Sequence, residues 1–216
     1  VSRTVLDVWN VALSTIGGRG DISAEGEMGT EARVCRRHYA TVRDAVQEAS
    51  WWSACKATQR LPMAAEREGQ DWAEGDPDDN MQYSYVLPND YLRAWYLLDG
   101  TNFLLSGGRL HTNTDEGVLV YAKRVEDPAL WSVSLYNAIY KMLASMLSGP
   151  LRGSESQSQR LFQEARLAIA ESQANIANAE SNAYEAVPDW IAAREGRQPT
   201  TRYVYPFGTN FEGLLQ

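Results

Sequence analysis

The chain is expected to adopt an α+β, mainly helical fold: a helical bundle with a long C-terminal helix, an inserted small antiparallel β-sheet, and an extended C-terminal arm. Three observations carry this. Four segments carry helical signals, beginning near the N-terminus, at Thr30, at Glu126 and at Ser154–Ser156. Between the second and third, the apolar pattern shortens to period two, punctuated by Asp-Gly and Gly-Gly. Finally, residues 199–216 combine large aromatics with helix-breaking Pro and Gly. The organisation expected is a helical body over 1–60 and 125–190, an acidic loop and hairpin insertion over 61–124, and an arm over 191–216.

The first helix starts at Ser2 or Thr4 and places Val5, Val8, Trp9, Ala12 and Ile16 on one face, with Gly17-Gly18 as its stop. A Gly-rich loop follows. The second helix spans about Thr30 to Ser50. Its Ala32, Cys35, Tyr39, Val42, Val46 and Ala49 form an apolar seam, and Arg33, Arg36, Arg37 and Arg43 are expected off it. The third begins at Glu126-Asp127-Pro128, where Asp can cap and Pro suits the first turn, and is expected to stop at Gly149-Pro150. Its polar residues Ser134, Asn137, Lys141, Ser145 and Ser148 make one narrow stripe, so most of its circumference should be covered. The fourth helix runs to about Ala186, roughly 45 Å at 1.5 Å per residue. Leu161, Ala165, Ala168, Ser172, Ile176, Ala179 and Ala183 give it a small-residue seam that allows close approach and needs partners along its length.

The strand region reads as Met81–Leu87, Arg93–Leu98, Asn102–Ser106, Arg109–Thr112 and Gly117–Lys123. Glu195–Pro199 reads as a hinge into the arm.

Seven tryptophans and 44% apolar residues are enough to fill a core. The net charge is −8, and the run from Glu66 to Asn80 alone carries seven acids against one arginine, leaving −2 for everything else. That balance argues against a groove gripping nucleic acid through its phosphates and places the excess in one surface loop. No apolar run is long enough for a membrane span, and the N-terminus lacks a signal pattern. Cys35 and Cys55 do not make a disulfide framework and read as reduced and buried, in a protein made in a cytoplasm.

Catalytic constellations are not legible. His38 and His111 are not at ligand spacing, and there is no Cys-x-x-Cys. Gly17-Gly18-Arg19-Gly20 lacks the Lys-Ser or Lys-Thr of a phosphate loop, and no Gly-x-Ser-x-Gly occurs. Asp76-Pro-Asp-Asp-Asn80 begins like a calcium loop, then offers Met81 where glycine belongs and Leu87 where glutamate belongs. No catalytic, cofactor-binding or metal-binding residue is therefore assigned.

Three groups point to binding instead. The arm offers Tyr203, Val204, Tyr205, Pro206, Phe207, Phe211, Leu214 and Leu215. Each large aromatic is worth roughly 1.5–3 kcal/mol when buried, so the segment is expected to lie against something. It either folds back over its own core or is presented to another molecule; the recurrence of apolar anchors on extended recognition segments favours the second. Arg33, Arg36, Arg37 and Arg43 are a candidate inter-subunit charged face, with a solvated face paired to nearby carboxylates as the plainer account. Glu171, Asn175, Asn178, Asn182 and Glu185 follow helical spacing and are candidates to line an aqueous channel; more often such a row simply faces solvent.

The order of several segments is informative together. They are Asn10–Gly18 (NVALSTIGG), Tyr39–Val46 leading into Ala49–Ala54 (ASWWSA), Leu61-Pro62, Leu87–Arg93 (LPNDYLR), Tyr121–Trp131 (YAKRVEDPALW) and Leu143–Leu151 (LASMLSGPL). In this order they resemble the tail tubular protein A and head-to-tail adaptor (connector) family of tailed bacteriophages. The resemblance implies a non-enzymatic protein of the virion neck, made in the host bacterial cytoplasm. It implies a ring of twelve copies that binds the portal protein and leads into a tail tube or nozzle protein. Genomic DNA would pass through the lumen without sequence-specific contacts, and no cofactor or membrane is involved. In some relatives an extended C-terminal segment docks into a portal groove. The acidic 66–80 run and the aromatic arm are not constant in that family, so the carry-over is weakest there. The alternatives are another neck or head-completion protein of the same channel, or a virion-associated peptidoglycan hydrolase.

Overall fold

The structure, a computed structural model, describes residues 3–18, 21–66 and 81–181. It is α+β and mainly helical. Contacts divide the chain into a body ending at Ala177 and a second unit from Asn178, of which only the end of the last helix, through Ser181, is described. The expected arm, from Tyr203 to Leu215, lies outside the described residues, as do the acidic run beyond Glu66 and the hinge at 195–199.

Helix α1 (Val5–Thr15) is fixed at its start by Thr4, whose hydroxyl accepts from the Asp7 backbone N–H while the Asp7 carboxylate accepts from the Thr4 N–H at 2.7 Å. Its inner face is Val8, Trp9, Ala12 and Leu13, followed by Ile16. Helix α2 (Thr30–Ala49) buries the expected seam of Ala32, Cys35, Tyr39, Val42 and Val46. The loop between them is held by Asn10, whose side-chain amide donates to the Ile22 carbonyl at 3.1 Å and accepts from the Ile22 N–H at 2.8 Å.

Helix α3 (Val133–Arg152) differs from expectation at both ends. Asp127 does cap a helical turn with Pro128 at its first position, but that turn is a 3-10 segment, Pro128–Leu130, that breaks at Trp131. The α-helix then restarts with Ser132 accepting from the Leu135 N–H. Gly149-Pro150 does not stop it. A proline this close to a C-terminus loses only the bond its own N–H would make, and the true stop is Gly153 at φ +63°, the left-handed cap that glycine adopts without steric cost.

Helix α4 (Glu155–Ser181) runs back along α3, about 40 Å long. Lys141 pairs with Glu164 at 3.6 Å, and Ser158 donates to the Ser145 carbonyl at 2.7 Å. The polar stripe of α3 is thus largely an interface: Ser145 and Ser148 are buried, with Ser148 donating to the Ser154 carbonyl. Leu161 and Ala165 face the body, and Ala168 and Ile169 pack beside the core. The core of the helical body is built from α1, α2 and α3 together with Ile22, Trp52, Cys55, Val125, Trp131 and Leu161.

The inserted region forms two small sheets rather than one. Strands β1 (Lys56–Arg60), β4 (Tyr91–Leu97) and β7 (Val118–Lys123) are ordered β1-β7-β4. Strands β2 (Met63–Glu66), β3 (Tyr83–Val86), β5 (Phe103–Ser106) and β6 (Arg109–Thr112) are ordered β2-β3-β6-β5. All pairings among the described residues are antiparallel. Both sheets contribute to a second core of Leu61, Tyr85, Leu97, Leu110, Leu119 and Tyr121. Strands β1 and β2 were not anticipated, because Lys-Ala-Thr-Gln-Arg and Met-Ala-Ala-Glu carry no apolar alternation of their own. Strand β1 is an edge whose residues are mostly exposed, and pairing with β7, not burial, makes it a strand. The strand region therefore opens at Lys56.

Candidate partner-binding surfaces

The four arginines of α2 do not form one face. Arg33, Arg36 and Arg37 are exposed on the N-terminal half, while Arg43 is only 8% exposed. Arg36 is committed to the preceding loop: its guanidinium donates to the carbonyls of Glu25 and Glu27, the latter at 3.1 Å. Arg43 corrects the expectation that it would lie on an outward face: it is buried beside Tyr39, Asp44 and Glu126. Its Nε donates to Asp44 at 2.8 Å, its guanidinium lies 5.9 Å from the centre of the Tyr39 ring, and Glu126 is 3.8 Å away. Asp44 uses its second oxygen to accept from Arg124 Nε at 2.9 Å. One carboxylate thus bridges a helix arginine and a strand-exit arginine. Burial pushes the Tyr39 hydroxyl pKa well above its usual range, and the adjacent Arg43 opposes the shift.

Beside this bridge, the side-chain amide of Gln47, fully buried, reads the backbone of Val125 as a strand would. Its Nε2 donates to the Val125 carbonyl at 2.8 Å and its Oε1 accepts from the Val125 N–H at 3.0 Å. Trp131 Nε1 donates to the same carbonyl at 3.0 Å. These contacts set the position of α3 relative to α2.

The channel-lining candidates are partly placed. Glu171 is exposed on α4. Asn175 and Asn178 belong to the same helix, with side chains outside the described residues, and Asn182 and Glu185 lie outside them altogether. Next to Glu171, Ser172 is buried, and Gln173 Nε2 donates to the Ala49 carbonyl at 2.9 Å, tying α4 to the end of α2.

Two features were not singled out from the sequence as possible surfaces. Trp51 stacks on Trp95 at 3.7 Å between ring centres and lies 5.7 Å from Tyr96, with Lys56 Nζ 5.0 Å from its own ring. Consecutive strand residues normally point to opposite faces. The bulge between Ala94 and Tyr96 in β4 breaks that alternation, so Trp95 and Tyr96 both reach Trp51. The second is an open groove of about 390 Å³ lined by Gln59, Pro62, Val86, Leu87, Pro88, Asn89 and Asp90. At its side the Tyr121 hydroxyl lies 3.1 Å from Asp90 and 3.2 Å from Gln59. Burial, then the Asp90 carboxylate, pushes that hydroxyl up to about 12. The aromatic richness of Trp51-Trp52 was a signal for the stack. The bulge that completes it had none.

Among the described residues, no group of three or more His, Cys, Asp or Glu side chains is arranged to hold a metal ion, and no helix is long and apolar enough to cross a membrane. His111 is buried on β6. No protein-family model matches this sequence, and no curated protein matches it.

Proposed function

We propose that this chain is a structural head-to-tail adaptor of a tailed bacteriophage, acting by binding and not by turnover. Copies assemble side by side into a ring that docks on the portal, leads into the tail tube or nozzle, and surrounds the passing DNA. One observation carries the reading. Three of the segments on which the family resemblance rests meet at the junction between helices and sheets. The Asp90 carbonyl of LPNDYLR accepts from the Arg124 N–H of YAKRVEDPALW, and the Asp90 carboxylate meets the Tyr121 hydroxyl of the same segment. Arg93 reaches the Glu48 carbonyl beside ASWWSA, and Trp131 closes on Val125. These three motifs, separate along the chain, touch one another in the fold, which supports reading them together.

The charge distribution is compatible with the role. An acidic conduit repels DNA and leaves it free to move, whereas a basic one would bind it through phosphates. In this reading the α4 row from Glu171 lines the lumen. A closed ring needs two different faces of one subunit to meet, and repeated contacts around it add by avidity. The arm anchors the ring to the portal through Tyr203, Tyr205, Phe207 and Phe211, because aromatics dominate interface hot spots.

Deleting residues 198–216 tests this. The truncated protein is expected to keep its helical circular dichroism and to lose binding to cognate portal rings in co-sedimentation. Retention of full-affinity binding would remove the arm assignment, and unfolding of the truncated protein would make the tail part of its own core.

A further inference from the structure

The outward face of α2 carries an ordered row of charge. Arg33, Arg37, Ala40, Thr41 and Glu48 are exposed, and Asp44 is partly exposed among them. At 3.6 residues per turn these six positions fall within one stripe along the helix. The stripe opens with two arginines, passes two small residues and closes with two carboxylates. Among the described residues, none of Arg33, Arg37 and Glu48 takes part in an ion pair.

The order of signs runs against the helix. A helix dipole favours carboxylates in the first turn and cations in the last. Here Arg33 ends the first turn and Glu48 lies in the last. Glu31 does suit the dipole, but it falls on another side of the helix. The stability of α2 alone therefore does not account for the stripe. A second α2 laid antiparallel does, because it brings opposite signs together along the whole row. About a two-fold axis between Ala40 and Thr41, Arg33 meets Glu48 of the second copy and Arg37 meets its Asp44. Ala40 and Thr41 sit at the crossing, and their small side chains let the helix axes approach to about 8 Å. Asp44 already accepts from Arg43 at 2.8 Å and from Arg124 at 2.9 Å, one oxygen each. A carboxylate has about four acceptor sites, so Arg37 extends that bridge. Arg33 and Glu48 have no such prior partner, and the pairing rests mainly on them.

We propose that two copies of this chain pair through α2, antiparallel and two-fold, with Arg33 of each opposite Glu48 of the other. This joint is independent of the ring reading: a two-fold contact is complete at two copies, whereas ring closure joins two different faces. Arg33 and Arg37 thereby take the inter-subunit role expected of them, and Arg36 stays with its loop.

Analytical ultracentrifugation of the full chain tests the pairing. The parent is expected to form a dimer at low salt that weakens at high salt, since screening acts on exposed pairs. Arg33→Glu and Glu48→Arg each set like charges against each other twice per dimer. Each is expected to lower the association constant about tenfold or more. Both changes agree with the helix dipole, so the circular dichroism should be unchanged and lost association cannot be lost folding. The double variant Arg33→Glu/Glu48→Arg restores opposite signs and should dimerise like the parent. A double variant as weak as the single ones would overturn the pairing, as would single variants that associate like the parent. A parent that stays monomeric at low salt yet binds portal rings would overturn the dimer and leave the ring reading standing. A parent that dimerises as described, yet never binds a portal, would remove the ring reading and keep the α2 joint.

Discussion

At the scale of single residues, the fold is positioned by buried amides that imitate backbone. Gln47 supplies a donor and an acceptor to Val125, and Asn10 does the same for Ile22. Each replaces water for two main-chain groups that no strand partner serves. Leaving one such group buried and unpaired costs its desolvation, about 1–3 kcal/mol. Gln47→Leu keeps the volume and removes both bonds, so it is expected to lower the unfolding free energy in urea by about 2 kcal/mol. Neither amide was legible as functional. An isolated Gln in a helix has no sequence signature, and its role exists only because Val125 arrives from 78 positions away. Arg43 teaches the same lesson in reverse. Its place in the pattern of α2 pointed outward, and in the fold it is buried beside Tyr39 and Asp44.

At the scale of elements, capping decided boundaries more than composition did. Thr4 and Asp7 form a reciprocal box at the start of α1. The Thr4 backbone N–H, and then its hydroxyl, hold the Asp7 carboxyl below the usual value of 3.8. A carboxylate whose pKa is lower folded than unfolded stabilises the fold above the unfolded value, and that contribution disappears as pH falls through the folded one. The parent should therefore lose stability on acidification below about pH 4 more steeply than Asp7→Asn, compared by thermal unfolding at several pH values. Equal pH slopes would show that the box contributes nothing.

Glycine acts at this scale too. A Cβ on Gly117 would sit 3.0 Å from the ring of Tyr85, a residue only 1% exposed whose hydroxyl donates to the Thr114 carbonyl. Gly117→Ala should then cost about 1–3 kcal/mol by overpacking, read as a lower urea midpoint.

At the scale of the whole molecule, two apolar cores among the described residues divide the labour, one among the helices and one between the sheets. Cys35 and Cys55 both belong to the helical core, and burial pushes each thiol up to about 12. Neither is expected to react with a disulfide reagent at pH 8 until the helical body opens, so labelling should follow global unfolding. Rapid modification of the native protein would contradict the packing.

What the amino-acid order determined alone was periodicity. The seams of α1 and α2, the five strands with apolar alternation and the Gly-Gly hairpin all arise from spacing within a few residues, where local geometry and burial agree. What only the tertiary structure decided depends on partners distant in sequence. These are the unpatterned strands β1 and β2, the division into two sheets, the burial of Arg43 and of Ser145 and Ser148, and the stack that a bulge turns toward Trp51. Such features follow from which surface meets which across the fold. A hydrogen bond or contact made over tens of residues leaves no trace in the local pattern that precedes it.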